Sequence, residues 1–243
     1  MSQTYSNNII PKKYLGQNFI KNKKYILSLI SLINRNEKVI EVGPGSGNIT
    51  KYLYTKTTDL TLIEKDERFE PLLRESFPKS KIYIQDILDF ELYPSGKYKV
   101  VGALPYYISK DIISKFLKGK NRPISISVIL QKEVAEKYTT RGELLYNTVH
   151  IYANTILKGD IIKKTEFYPI PKVDSQIIHI TDIYKYNIQD KNFESFIKSG
   201  YKNPRKKLKN NINNVQEKFQ DLRAHELSFN DWIELFKLQN VNT

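Results

Sequence analysis

The sequence predicts an α/β protein, with a mainly parallel sheet covered by helices on both faces and a small all-helical unit at the C-terminus. Three observations carry this. Short apolar runs alternate with helically spaced segments over roughly the first half of the chain. One of those runs ends in the glycine-rich turn Gly43-Pro44-Gly45-Ser46-Gly47. Beyond about residue 187 the strand signals vanish and the chain becomes polar, basic and helical.

The elements follow in order. Residues 23–34 repeat apolar side chains at helical spacing and predict a helix. Residues 38–42 form an apolar run that enters the glycine turn, which reads as a buried strand. A helix over 48–56 follows, with Asn48 or Ser46 as its cap. Strands are expected at 60–64 and 81–85, from 100, and at 124–130; helices at 66–76, 108–118 and 131–138. Gly159-Asp160 predicts a turn. The prolines of 167–171 keep that segment extended. Residues 176–184 alternate and predict a late strand, pairing antiparallel at the sheet edge. After a linker near 184–190, helices are expected at 191–200, 204–218 and 228–238. Ser228 precedes the last, Asp231 falls in its first turn, and Trp232, Leu235 and Phe236 form its packing stripe.

A chain of 243 residues, 40% hydrophobic, suffices for one α/β domain and a small appendage. It has no cysteine, which excludes disulfides, thiolate zinc sites and cysteine nucleophiles. His150, His179 and His225 lack metal-ligand spacing, so no metal is expected. Residues 1–13 are polar and unlike a secretory signal, and no stretch approaches the roughly 20 apolar residues of a membrane span. A cytoplasmic monomer without membrane attachment is the expectation. The net charge of +13 attracts polyanions, because each neutralised phosphate releases counterions. Richness in Lys, Asn, Ile and Tyr is also what an A/T-rich genome encodes, so part of that charge has a compositional origin.

A strand, a glycine turn and a helix make a nucleotide-class site, since glycine lets the backbone approach a ligand closely. Glu64 ends the next strand, 21 positions after Gly43, where an acid accepts hydrogen bonds from ribose hydroxyls. Asp86 follows the third strand and is placed to accept from an adenine amino group, or to cap a turn. This geometry suits a dinucleotide and S-adenosylmethionine equally. Segments 16–20 (GQNFI) and 103–106 (ALPY) favour the methyl donor.

Seven segments, in order, resemble the ribosomal RNA adenine dimethyltransferase family, which includes the small-subunit KsgA type and the large-subunit antibiotic-resistance methylases. They are 16–20 (GQNFI), 41–47 (EVGPGSG), Glu64 with Asp86, 103–109 (ALPYYIS), 131–137 (QKEVAEK), 167–175 (FYPIPKVDS) and 205–211 (RKKLKNN). The resemblance implies a Rossmann-like class I methyltransferase sheet over residues 1–186 and a helical, basic RNA-binding domain over 187–243. It implies an S-adenosyl-L-methionine site lined by Gln17, Asn18, Ile20, Gly43, Gly45, Gly47, Glu64, Lys65, Asp86, Ile87 and Ala103. The expected partner is ribosomal RNA in a small-subunit precursor. Segments 131–137 and 169–175 favour the small-subunit branch, whose members dimethylate two adjacent adenines near the 3′ end of that RNA.

The same resemblance assigns the catalytic loop to Ala103, Leu104, Pro105 and Tyr106. Tyr106 stacks on the flipped base, or packs in the core, and Phe167 stacks on the other face, or is an ordinary edge aromatic. One position departs: the family has Asn where this chain has Ala103, and alanine offers no acceptor to the adenine amino group. Three readings follow: an introduced lesion, a natural change in a protein that binds RNA and methylates slowly or not at all, or replacement of the acceptor by Ser109 or Tyr107. Lys202, Arg205, Lys206, Lys207 and Lys209, with Lys198, form the expected RNA-binding cluster. Lys12, Lys13, Lys21, Lys23 and Lys24 form a second basic group. Competing classes are a non-catalytic ribosome-assembly factor, a large-subunit methylase and a nicotinamide-dependent oxidoreductase. The ALPY segment and the basic tail argue against the last.

Overall fold

The computed structural model describes residues 9–184 and 190–241. The strands are β1 (Phe19–Ile20), β2 (Lys38–Val42), β3 (Asp59–Glu64), β4 (Lys81–Ile84), β5 (Lys99–Ala103), β6 (Ser125–Gln131), β7 (Ala153–Ile162), β8 (Phe167–Tyr168) and β9 (Ser175–Ile183). Seven of them form one sheet in the order β4-β3-β2-β5-β6-β9-β7. The first five of that order are parallel, and β9 runs antiparallel to both β6 and β7. β1 and β8 make a separate antiparallel pair.

Strand alternation sends neighbouring residues to opposite faces. Val39, Leu62, Val101 and Ile129 feed one buried cluster, while Ile40, Ile63, Val100 and Val128 feed the other. The helices are α1 (Lys23–Leu29), α2 (Thr50–Lys56), α3 (Glu70–Ser76), α4 (Ser109–Lys118), α5 (Lys132–Thr139), α6 (Leu144–His150), α7 (Asp190–Gly200), α8 (Glu217–Gln220) and α9 (Phe229–Val241). Ile197, Leu208, Phe219, Trp232 and Leu235 of the C-terminal segment share one apolar cluster with Tyr138 of α5, Val149 of α6 and Tyr152.

Several expectations need correction. α1 stops at Leu29 rather than residue 34, yet Ile30 and Ile33 stay buried because the following turns fold back onto the core. α2 has neither Asn48 nor Ser46 as its cap; Ile49 holds that position, and the Asn48 amide donates to the Ile20 carbonyl instead. Gly159-Asp160 is no turn but an irregularity inside the ten-residue β7, where the register shifts between Lys158 and Ile161. β9 is not the edge strand, because β7 lies outside it. Residues 204–218 do not form one helix. They form turns, a 3-10 turn at Leu208–Asn210 and only the start of α8. Residues 185–189, which hold most of the expected linker, lie outside the described residues.

Candidate active site

The carboxyl ends of β2, β3 and β5 open into one cleft of about 830 Å³, measured up to its open mouth. A crevice at the strand ends of an open α/β sheet is where such folds bind ligands.

The glycine turn forms the floor. Gly43 has φ +68° and nothing within 4 Å of where a side chain would begin, so its bare backbone faces open space. Gly45 is constrained differently: a Cβ there would lie 2.4 Å from the Phe19 ring, which packs over the turn. Glu64 fastens the turn, accepting from the Gly45 amide at 2.9 Å and from the Asp66 amide at 2.8 Å. Burial pushes the Glu64 carboxyl above its ordinary value, although the Asp66 and Gly45 amides pull against it. Asp86 performs its local capping role, accepting from the Leu88 amide, and also accepts from Lys65 Nζ at 2.6 Å. Burial raises the Asp86 carboxyl, but Lys65 and the Leu88 amide outweigh it and hold it below the usual range.

Asp66, which the sequence reading did not single out, fixes the roof. It is 3% exposed and takes a two-pronged contact from Arg68, at 2.8 Å from Nε and 2.5 Å from Nη2. It also accepts from Gln17 at 2.7 Å, while Gln17 in turn accepts from the Lys12 amide. Arg68 reaches on to the Ile10 carbonyl. The Arg68 guanidinium, opposed by burial and helped by Gln17, holds the Asp66 carboxyl down to about 2. Residues 10–17 are thereby clamped along the cleft rim. No local pattern announces Asp66, because its partner Gln17 lies 49 positions away.

Beneath the floor lies Glu41, 1% exposed, with neither carboxyl oxygen in a hydrogen bond. The Thr50 hydroxyl lies near enough to act on it electrostatically but outside hydrogen-bond geometry. Burial, opposed by Thr50 and reinforced by the Glu64 carboxylate, pushes Glu41 up to about 8.

The 103–109 loop forms the far wall. Ala103 ends β5 opposite Ile129 and lines the cleft, as do Pro105 and Tyr107. Leu104 is 3% exposed, with its amide bonded to the Ile129 carbonyl. Tyr106 is half-buried, and its hydroxyl lies 2.6 Å from the fully buried Ser175 Oγ. Ser109 donates to the Tyr106 carbonyl and is 1% exposed, which removes it as a replacement acceptor. Tyr107 remains in the cleft, 56% exposed.

The structure therefore brings Gln17, Asn18, Ile20, Gly43, Gly45, Glu64, Lys65, Asp86, Ile87, Ala103 and Pro105 to one cleft. Gly47 is not in its lining; a Cβ there would lie 2.7 Å from the Phe77 ring, on the core side of the turn. Leu104, Tyr106 and Phe167 are also outside the lining. Phe167 is 1% exposed within the core.

The residue 10–240 span matches the family described as "Ribosomal RNA adenine dimethylase". The chain belongs to that family. Methyltransferases of this kind use S-adenosylmethionine. The chain is 34% identical to the ribosomal RNA small subunit methyltransferase A of Mycoplasma mycoides subsp. mycoides SC, over 93% of this chain and 97% of the relative. It is 32% identical to the enzyme of the same name from Fusobacterium nucleatum, with the same coverage. Among solved structures, the 23S rRNA methyltransferase ErmE has a TM-score of 0.75 at 20% identity, covering 90% of this chain and 98% of its own. A dimethyladenosine transferase from Plasmodium falciparum has a TM-score of 0.75 at 19% identity, covering 91% and 97%. Both likenesses confirm the α/β methyltransferase fold.

None of the described side chains of the basic clusters lines the cleft, although Lys12 adjoins it through its amide bond to Gln17. Lys202, Arg205 and Lys206 are exposed on turns, not on a helix. Lys207 and Lys209 share one carboxylate, Asp221, at 3.0 and 2.8 Å, and Lys198 pairs with Glu194 at 2.7 Å. In the second group Lys21, Lys23 and Lys24 are exposed and Lys12 lies 3.8 Å from Asp66. The Lys13 side chain lies outside the described residues.

Proposed function

We propose that this chain transfers methyl groups from S-adenosylmethionine to the N6 of two adjacent adenines near the 3′ end of small-subunit ribosomal RNA. The observation that carries this reading is the union of Gly43, Gly45, Glu64 and Asp86 with Ala103, Pro105 and Tyr107 in a single cleft. The small-subunit choice draws on the relatives of that name, which match almost end to end.

The donor fits the groups present. The open backbone at Gly43 admits a close ligand, and the Asn18, Glu64 and Asp86 side chains offer polar contacts to an amino acid, a ribose and an adenine. Bound there, the donor supplies an electrophilic methyl on a sulfonium. The protein's task is the acceptor. Adenine N6 is a poor nucleophile because its lone pair is delocalised into the ring, so the base must leave its stack and be held in line. The Leu104 carbonyl accepts one amino hydrogen, and Pro105 fixes that carbonyl's direction. Tyr106 stacks on the base, with its ring orientation held by Ser175. Phe167 supports this wall from within the core. N6 gains the methyl and releases a proton to solvent.

Ala103 leaves one amino hydrogen without its acceptor. Loss of one preorganised polar group slows such a step on the order of 10²–10³-fold. Residues 1–186 carry the chemistry, and 187–243 anchor the RNA through Lys202, Arg205 and Lys206, with Lys207 and Lys209 contributing less. Ala103 is also the one observation that favours a second reading, a ribosome-assembly factor that binds without methylating. The test uses the intact chain, labelled donor and small-subunit particles lacking the modification. Slow formation of N6,N6-dimethyladenosine, abolished by Glu64→Ala, supports the enzyme. Absence of product although donor and particles both bind moves the assembly-factor reading ahead.

A further inference from the structure

Three large tyrosines stand exposed where a protein ordinarily places polar side chains: Tyr14 at 72%, Tyr107 at 56% and Tyr168 at 60%. Tyr107 lines the cleft, and the other two sit on segments that adjoin it. Tyr14 belongs to the 3-10 turn Lys13–Leu15, and the next residue, Leu15, lines the cleft. Tyr107 lines it directly, with its ring 3.4 Å from where a Gly16 side chain would begin. Tyr168 is the cross-strand partner of Phe19 in the β1–β8 pair. Directly opposed residues project to the same side of such a pair. Phe19 and Ile20 both line the cleft, so the pair borders it; Tyr168 stands beside the Phe19 ring and is exposed, whereas Ile20 and Phe167 are 1% exposed.

We propose that Tyr14, Tyr107 and Tyr168 form an aromatic rim that stacks the unpaired nucleotides flanking the target base. The proposal rests on the RNA-methylating reading above. A base leaving its stack exposes the faces of its neighbours, and tyrosine covers such a face whatever the base. Cations accompany the rim, as a single strand requires. Lys12 Nζ lies 5.7 Å from the Tyr14 ring centre, and Lys164 and Lys172 are exposed on either side of Tyr168. Ile170, 61% exposed, extends the apolar surface beyond Tyr168. Apolar faces interleaved with lysines and continuous with the catalytic cleft fit single-stranded RNA better than a protein surface.

The experiment measures binding of the full chain to a short RNA carrying 2-aminopurine either at the target adenine or at a flanking position. It compares Tyr14→Leu, Tyr168→Leu and Tyr168→Phe. The rim predicts altered flank fluorescence that each leucine variant abolishes and Tyr168→Phe retains. It predicts RNA affinity about fivefold or more weaker in each leucine variant, with donor affinity unchanged. RNA binding with a normal target signal, yet leucine variants within twofold of the parent, overturns the rim and leaves the methylating reading standing. Leucine variants that lose binding to intact particles but not to naked flanked RNA overturn it in favour of protein docking. No RNA binding by the parent chain overturns both.

Discussion

At the scale of single residues, two buried carboxyls on either side of the glycine turn behave oppositely. Glu41 is raised to about 8 and lacks a hydrogen bond. In the unfolded chain it ionises near its ordinary value of about 4.3. The folded state therefore binds the extra proton between those limits, and stability falls as pH rises through that window. Glu41→Gln is expected to remove this slope, raising Tm by several degrees at pH 8 and little at pH 4, as thermal denaturation at the two pH values would reveal. Asp66 is held down to about 2, so its contribution is complete above about pH 4 and lost as pH falls towards 2. Asp66→Asn weakens the clamp on residues 10–17 and should speed amide exchange there severalfold while leaving β2 and β3 protected. Unchanged exchange in that segment would show that the Arg68 bond to the Ile10 carbonyl holds it without Asp66. The glycine turn, Glu64 and Asp86 were legible in the sequence because their meaning is local: a strand end and a fixed spacing. Asp66 and the Tyr106–Ser175 pair were not, since each depends on partners 49 and 69 positions distant.

At the scale of elements, the strand-turn-helix order was readable because strands buried on both faces of a parallel sheet read as near-continuous apolar runs, distinct from the helically spaced segments between them. The errors have physical causes. Leu208, Ile212, Val215 and Phe219 keep near-helical spacing through 204–218, yet Pro204 and a run of asparagines break the backbone, and Asn214 takes φ +54°. Leu208 reaches the core from the 3-10 turn, Ile212 and Val215 from the loop after it, and Phe219 from the short α8. At Gly159 the sequence marks an irregularity correctly, but the strand absorbs it as a register shift instead of reversing: a side chain at Gly159 would begin only 3.0 Å from Ile177, and the Gly159 carbonyl accepts from Gln176. The start of α9 was read well. The Ser228 hydroxyl accepts from the Asp231 amide at 3.1 Å, and Asp231 accepts from the Ser228 amide at 2.8 Å, a reciprocal cap. Ser228→Ala should cost about 1 kcal/mol in denaturant unfolding. A loss near zero would mean that packing of Trp232 and Leu235 fixes this helix end unaided.

At the scale of the whole molecule, a net charge of +13 sets how RNA is met. Among the described residues no carboxylate pairs with Lys202, Arg205 or Lys206, whereas Lys207 and Lys209 share Asp221. RNA affinity should fall steeply with salt, and Lys206→Ala should lower the salt slope by about one, more than Lys209→Ala does. Equal slopes for the two variants would mean that Asp221 lets go of its lysines in the complex. In the function proposed above, a donor cleft adjoins an acceptor wall that lacks one polar group at Ala103. The most direct test compares methyl transfer by this chain and its Ala103→Asn variant on undermethylated small-subunit particles, with N6,N6-dimethyladenosine read by mass spectrometry. The account predicts that the variant is faster, on the order of 10²–10³-fold. Equal rates, or silence from both while donor and RNA bind, would contradict it.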